Sequence, residues 1–123
     1  MNGVVIEGVV TPGRRIGHTI GFPTANIPLP QGTCDNGVYR AQVQVEGVEQ
    51  VFDAMSNVGY NPSVGGNELR LECHLFGFDG DLYGRRIWVR LVEKIRQEQK
   101  FATLDDLRQQ LERDREQILS RLK

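Results

Sequence analysis

The sequence predicts a mainly β fold, a small closed barrel of five or six antiparallel strands with one C-terminal α-helix. Three observations carry this. Most of the chain up to residue 93 either alternates with period two or is rich in β-branched residues. From residue 104 onward the apolar residues recur at helical spacing. A chain of 123 residues with 39% apolar content supplies one core, so residues 1–123 are expected to form a single domain. A small antiparallel sheet needs closure to remove its edges, and a single helix can cover one opening of the result.

The elements follow in order. Residues 3–11 are valine-rich and read as the first strand. Residues 12–37 fit neither period: Gly13, Gly17, Gly21, Gly32 and Gly37 alternate with Pro12, Pro23, Pro28 and Pro30, which makes a long irregular segment. Loops this long in a compact domain are functional or disordered, and the embedded Ile20, Phe22 and Ile27 argue for partial burial over disorder. Residues 38–46 and 48–58 alternate loosely, with a reversal at Glu46-Gly47 between them. In residues 68–76 the apolar Leu69, Leu71, Cys73 and Leu75 stand at odd positions, so Glu68, Arg70, Glu72 and His74 share the other face. Asp79-Gly80 signals a hairpin leading to the strand at 86–93. The last segment carries Leu104, Leu107, Leu111, Ile118 and Leu122 on one helical stripe, started by a capping-box-like Thr103 and Asp106. Charged residues crowd into residues 93–123 as the solvated face of this helix. Asp114 interrupts the stripe, and the favoured explanation is an ion pair or hydrogen bond to a neighbouring loop.

Composition excludes several classes. The net charge is −1 and the 15 Lys and Arg form no basic stripe, so no nucleic-acid partner is expected. Aromatic content of 7% without interleaved basic residues argues against an oligonucleotide-binding barrel. No apolar stretch approaches the ~20 residues that span a bilayer, and no basic flank precedes the first apolar run. A cytoplasmic protein with no membrane association is expected, acting as a monomer. Cys34 and Cys73 are expected to be reduced thiols, and with His18 and His74 they make no zinc-ligand spacing.

Three groups of residues could carry chemistry. Gly13, Gly17 and Gly21 allow backbone amides to approach a ligand closely and form a nest for phosphate oxygens, although the loop lacks the Gly-Lys-Ser/Thr ending of a P-loop and plain turns are built the same way. Pro23 sets a rigid bend after which Thr24 and Asn26, two apart in an extended stretch, point the same way. A hydroxyl and an amide oxygen placed so are hard ligands suited to Mg²⁺, and a side-chain-stabilised turn is the competing explanation. Glu72 stands in mid-strand: either its face lines a cavity and the carboxylate meets a ligand, or it belongs to an outward polar row with Arg70 and His74.

Gly8-Val9-Val10, Gly13, Ile20-Gly21-Phe22-Pro23-Thr24-Ala25-Asn26-Ile27, Gly37-Val38-Tyr39, Asn57-Val58-Gly59 with Pro62, Leu71-Glu72 with His74-Leu75, Asp81-Leu82-Tyr83-Gly84, and Ile95-Arg96 with Glu98, Lys100 and Phe101 form an ordered series of motifs. In this series the chain resembles the riboflavin kinase family. These motifs follow one another in order over about residues 8–115, and such a series is more specific than any single motif. It implies a six-stranded closed barrel with a C-terminal helix. It also implies transfer of the ATP γ-phosphate to the 5′-hydroxyl of riboflavin, giving FMN. In that reading ATP lies under the loop of Gly13 and His18, Mg²⁺ sits on Thr24 and Asn26, and Glu72 acts as base. Leu75, Gly77 and Tyr83 match positions that hold the nucleotide, while Arg96, Gln99 and Phe101 match a loop that closes over the flavin.

His18 stands where family members commonly carry Lys or Arg facing the phosphates, so a permanent charge is replaced by one that titrates near neutrality, which bears on ATP affinity. In bacteria this module is usually the C-terminal half of a bifunctional enzyme that also adenylylates FMN, which leaves a stand-alone kinase and an excised domain both open. The alternative function is a flavin- or nucleotide-binding barrel without turnover. Convergence of Thr24, Asn26 and Glu72 on one place discriminates between the two.

Overall fold

In the computed structural model, which describes residues 4–11, 21, 23–30, 32–63 and 66–121, six strands precede one helix. The strands are β1 (Val5–Val9), β2 (Ala25–Pro28), β3 (Gly37–Val45), β4 (Val51–Ser63), β5 (Gly66–Leu75) and β6 (Arg86–Arg96), and α1 is Leu104–Arg121. They form one sheet in the order β1-β6-β3-β4-β5-β2, every neighbouring pair antiparallel. The two ends of that order come together just past β1, where the Thr11 N–H donates to Asn26 O at 2.8 Å. The sheet is therefore a nearly closed barrel, as the edge argument requires.

The period-two pattern decides what fills it. Leu69, Leu71, Cys73 and Leu75 of β5 join Ala41 and Val43 of β3 and Ile87 and Val89 of β6 in one buried cluster. This interior is solid side chain, with the Phe78 ring packed edge-on against Phe52 at 5.3 Å between centroids. Ser56 and Cys73 are also buried there, and the Ser56 hydroxyl donates to the Cys73 sulfur at 2.9 Å. Burial pushes the Cys73 thiol up to about 12, so it stays neutral and packs as a small apolar group.

Two expectations are corrected. Residues 12–37 are not wholly irregular: β2 lies within them, and its Ala25 and Ile27 enter the core. The four-residue strand was illegible because Pro23, Pro28 and Pro30 flank it, and pairing with β5 supplies what its local sequence does not. The helix does not cover a barrel opening either. Ile118 is buried against Val38 and Met55, with Phe76, Ile95 and Leu111 around them. Val38 and Met55 belong to the face of β3 and β4 opposite the core, so α1 lies on the outside of the wall. Because the barrel fills itself, an apolar helix stripe finds its partner on the outer surface. The stripe is narrower than its sequence suggests, since Leu104 is exposed. The helix start is as expected, with Asp106 N–H donating to Thr103 Oγ1 at 3.0 Å. The strand boundaries at 58 and 93 move outward, to Ser63 and Arg96.

At the seam between β1 and β2, Gly8 faces Ile27. A Cβ built on Gly8 would stand 2.5 Å from Ile27 Cγ2, so closure depends on the missing side chain. Gly8→Ala is expected to cost about 1–3 kcal/mol by overpacking, seen as a lower urea midpoint at unchanged slope. An unchanged midpoint would show that the seam yields freely.

Candidate active site

Pairing of β2 with β5 sets Ala25 opposite Cys73 and Asn26 opposite Glu72. Because Ala25, Leu71 and Cys73 face the core, Asn26 and Glu72 both lie on the outer face. Glu72 thus does not line the barrel interior; the cavity alternative is excluded because the other strands pack their core against Leu71 and Cys73. Yet the outer row is not a bland polar surface. The Thr24 hydroxyl donates to Glu72 Oε1 at 3.4 Å, which brings Thr24, Asn26 and Glu72 to one place. Asn26 is buried, 3% exposed, and its Oδ1 has no hydrogen-bond partner among the described residues. A buried acceptor without a donor costs stability unless something else binds it. A hydroxyl oxygen and an orphaned amide oxygen beside a carboxylate form a hard-oxygen donor set that fits Mg²⁺.

Next to Thr24 lies a cleft of about 470 Å³, lined by Thr11, Thr24, His74 and Tyr83 together with the core-facing Ala25 and Leu75. That volume is ordinary for a small-molecule site. Its far wall is the β5–β6 connection, where the Tyr83 N–H donates to Asp81 Oδ1 at 2.9 Å and the Tyr83 ring is exposed. Gly77 lies in the turn after Leu75 with a positive φ of 79°. Gly13 and His18, like Gly17, lie outside the described residues.

His74 shares the outer face with Glu72. Its Nδ1 is 2.8 Å from Pro23 O, and a carbonyl only accepts, so Nδ1 carries the proton. The ring also packs edge-on to Phe76 at 5.5 Å. Sequence reading treated His74 as part of a polar row; here it fixes the bend at Pro23 that delivers Thr24, through a carbonyl that no side-chain pattern reveals.

Arg96 is not in a loop. It is the last residue of β6, and its guanidinium is held by Asp114 of α1, from Nε to Oδ1 at 2.9 Å and from Nη2 to Oδ2 at 2.8 Å, while Nη1 donates to Gln97 O at 3.0 Å. Gln110 Nε2 adds a bond to Asp114 Oδ1 at 2.9 Å. The ion-pair expectation for Asp114 therefore holds, with a strand end instead of a loop as partner. The pair is bidentate and its carboxylate is 1% exposed, a combination in which either partner left alone is strongly destabilising. Gln99 is exposed and Phe101 half-buried in the segment that follows. These three residues lie on the β6–α1 side, apart from the cleft.

Burial lowers the His74 pKa; the bond to Pro23 O opposes this, and the Arg115 charge adds to it. Below the unfolded value near 6.5, unfolded chains take up a proton that the native ring resists. Stability is thus present above pH 6.5 and falls as pH drops from there toward the lower native value. Replacing the ring by His74→Gln is expected to flatten this part of the pH–Tm curve between pH 7 and 5. An unaltered slope would assign the acid sensitivity to other groups.

Similarity to known proteins bears on the family and the fold. The family model described as Flavokinase, riboflavin kinase, matches residues 2–122. The bifunctional riboflavin kinase/FMN adenylyltransferase of Escherichia coli K12 is 46% identical over 110 residues, 89% of this chain and 35% of that protein. An RNA-binding riboflavin kinase of Bacillus subtilis is 38% identical over 111 residues, 89% of this chain and 47% of its own. The chain thus spans about a third to a half of the length of these relatives. Among solved structures, one named as a macrolide-efflux protein from Streptococcus pneumoniae has a TM-score of 0.81 at 36% identity, over 93% of this chain and 38% of its own. The riboflavin kinase of Trypanosoma brucei has a TM-score of 0.65 at 20% identity over 99% of this chain and 81% of its own, a likeness of fold. From the match along nearly its whole length and from relatives of this identity, the chain belongs to the riboflavin kinase family.

Proposed function

We propose that this chain transfers the γ-phosphate of ATP to the 5′-hydroxyl of riboflavin, releasing FMN and ADP. The observation that carries the reading is the outer-face convergence of Thr24, Asn26 and Glu72 at the edge of the cleft. The cleft is the nucleotide site, with Leu75 and Tyr83 on its walls and Gly77 in the turn beyond. Thr24 Oγ1 and the orphaned Asn26 Oδ1 would hold Mg²⁺, which would supply positive charge to neutralise the phosphates. Glu72 stands beside these oxygens and takes the proton of the attacking hydroxyl. Phosphoryl transfer has a loose transition state in which that proton leaves late, so a carboxylate suffices despite its mismatch with an alcohol. Most of the acceleration then comes from holding donor and acceptor in line. The loop of Gln99 and Phe101 closes over the flavin ring, and the Arg96–Asp114 pair fixes the root of that loop.

Incubation with riboflavin and Mg-ATP followed by separation of the flavins is expected to yield FMN. Recovery of unchanged riboflavin at saturating Mg-ATP would leave only a binding barrel. Glu72→Gln keeps the strand and removes the base, so kcat is expected to fall roughly 100-fold or more with nucleotide binding unchanged; wild-type turnover would return Glu72 to a structural role. Thr24→Ala is expected to shift the Mg²⁺ titration of activity to higher concentration, and a curve overlaying the wild type would remove Thr24 from the metal site.

A further inference from the structure

We infer that Asn57 grips the hydroxyl-bearing chain of the phosphate acceptor, beside the oxygen that reacts. This deepens the phosphotransfer reading and rests on it. The antiparallel registers set two residues directly against Glu72, Asn26 on β2 and Asn57 on β4. Such directly opposed pairs have Cβ atoms about 4.5–5.5 Å apart on the same face. The carboxylate is therefore flanked by an amide on each side.

The two sides differ in surroundings. Asn26 is buried and follows two residues after Thr24, which lines the cleft assigned to the nucleotide. Asn57 is half-exposed and has no hydrogen-bond partner among the described residues. In-line displacement brings the acceptor to phosphorus from the side opposite the leaving group. With the nucleotide on the β2 side of Glu72, the acceptor arrives over β4, and Asn57 is the first polar side chain it meets there.

The neighbours of Asn57 give that approach its walls. Along β4 on the same face, Met55 is buried under α1 with Ile118 and Val38, while Gly59 has the Glu98 carboxylate lying against its Cα. Between these two neighbours Asn57 stays half-exposed. A carboxamide both donates and accepts, which matches an alcohol group in either role. Asparagine is also a poor residue for the middle of a strand, and no hydrogen bond among the described residues offsets it here. Local rules broken without a structural return mark functional positions.

Flavin fluorescence titrations with the intact chain separate the alternatives. Asn57→Ala is expected to raise the Kd for riboflavin roughly three- to tenfold, the range of one net hydrogen bond. The same substitution is expected to leave unchanged the Kd of a flavin whose side chain is a plain hydroxypentyl group, which lacks the internal hydroxyls. Asn57→Val, a stronger strand former, should behave alike and guards against a folding defect. Equal loss for both flavins would make Asn57 a structural residue and overturn the proposal, as would no loss for either. Turnover of riboflavin by the unsubstituted chain is read separately: chain-dependent binding without FMN formation would sink the kinase reading and leave the Asn57 contact standing.

Discussion

The pairing of β2 with β5 is the contact on which the rest of the site depends. Four residues make a weak strand by themselves, because few ladder bonds offset the backbone entropy of ordering them. What holds β2 is its inward side: Ala25 and Ile27 enter the core against Leu71 and Cys73, and fully burying an aliphatic side chain the size of isoleucine is worth about 1.5–3 kcal/mol. Once those residues are seated, alternation leaves Asn26 no choice of face. It must lie beside Glu72, and Thr24 must arrive one step before it. The core thus positions the polar cluster through the alternation of β2 and β5.

That arrangement places the cluster of Thr24, Asn26 and Glu72 on the outer face of the barrel wall. A six-stranded barrel of this size is filled by its own Leu, Ile and Val side chains. Two features shape the surroundings of the cluster. The β5–β6 connection rises to form the cleft next to Thr24. The helix packs on the same outer surface over Val38 and Met55 and bounds the far side. Glu72 is between them, one strand from each of two asparagines.

The helix is tied to the barrel by more than apolar contact. Arg96 ends β6 and Asp114 is buried in α1, and their bidentate pair, with Gln110 on the same carboxylate, fastens the strand end to the helix. A buried charge pair adds little net stability over an apolar substitute, but it is specific in direction. It sets where the segment carrying Gln99 and Phe101 begins. The bond from His74 to Pro23 O does the same for Thr24 at the other end of the site. Both ties act on residues adjacent to candidate ligand contacts, so the site is framed by two polar fastenings and an apolar floor.

Much of this was legible in the sequence. The strict alternation of Leu69, Leu71, Cys73 and Leu75 assigns β5 and its two faces, since period two leaves no other solution for a half-buried strand. The Thr103 cap and the Leu111–Ile118 stripe likewise assign the helix. The order of motifs through Thr24, Asn26 and Glu72 carries the family, because residue types at set spacings are a local property of the chain. Three things were decided only by tertiary structure. Which face of β5 is the inside depends on what the other strands bring, so Glu72 could not be placed outward from its own segment. The strand β2 exists because β5 offers it a ladder and a hydrophobic seat, neither of which is encoded within residues 25–28. Asn57 acquires its place opposite Glu72, and Asp114 its partner Arg96, through register and packing between segments distant in sequence, and such distances are set by the whole fold, not by any stretch of it.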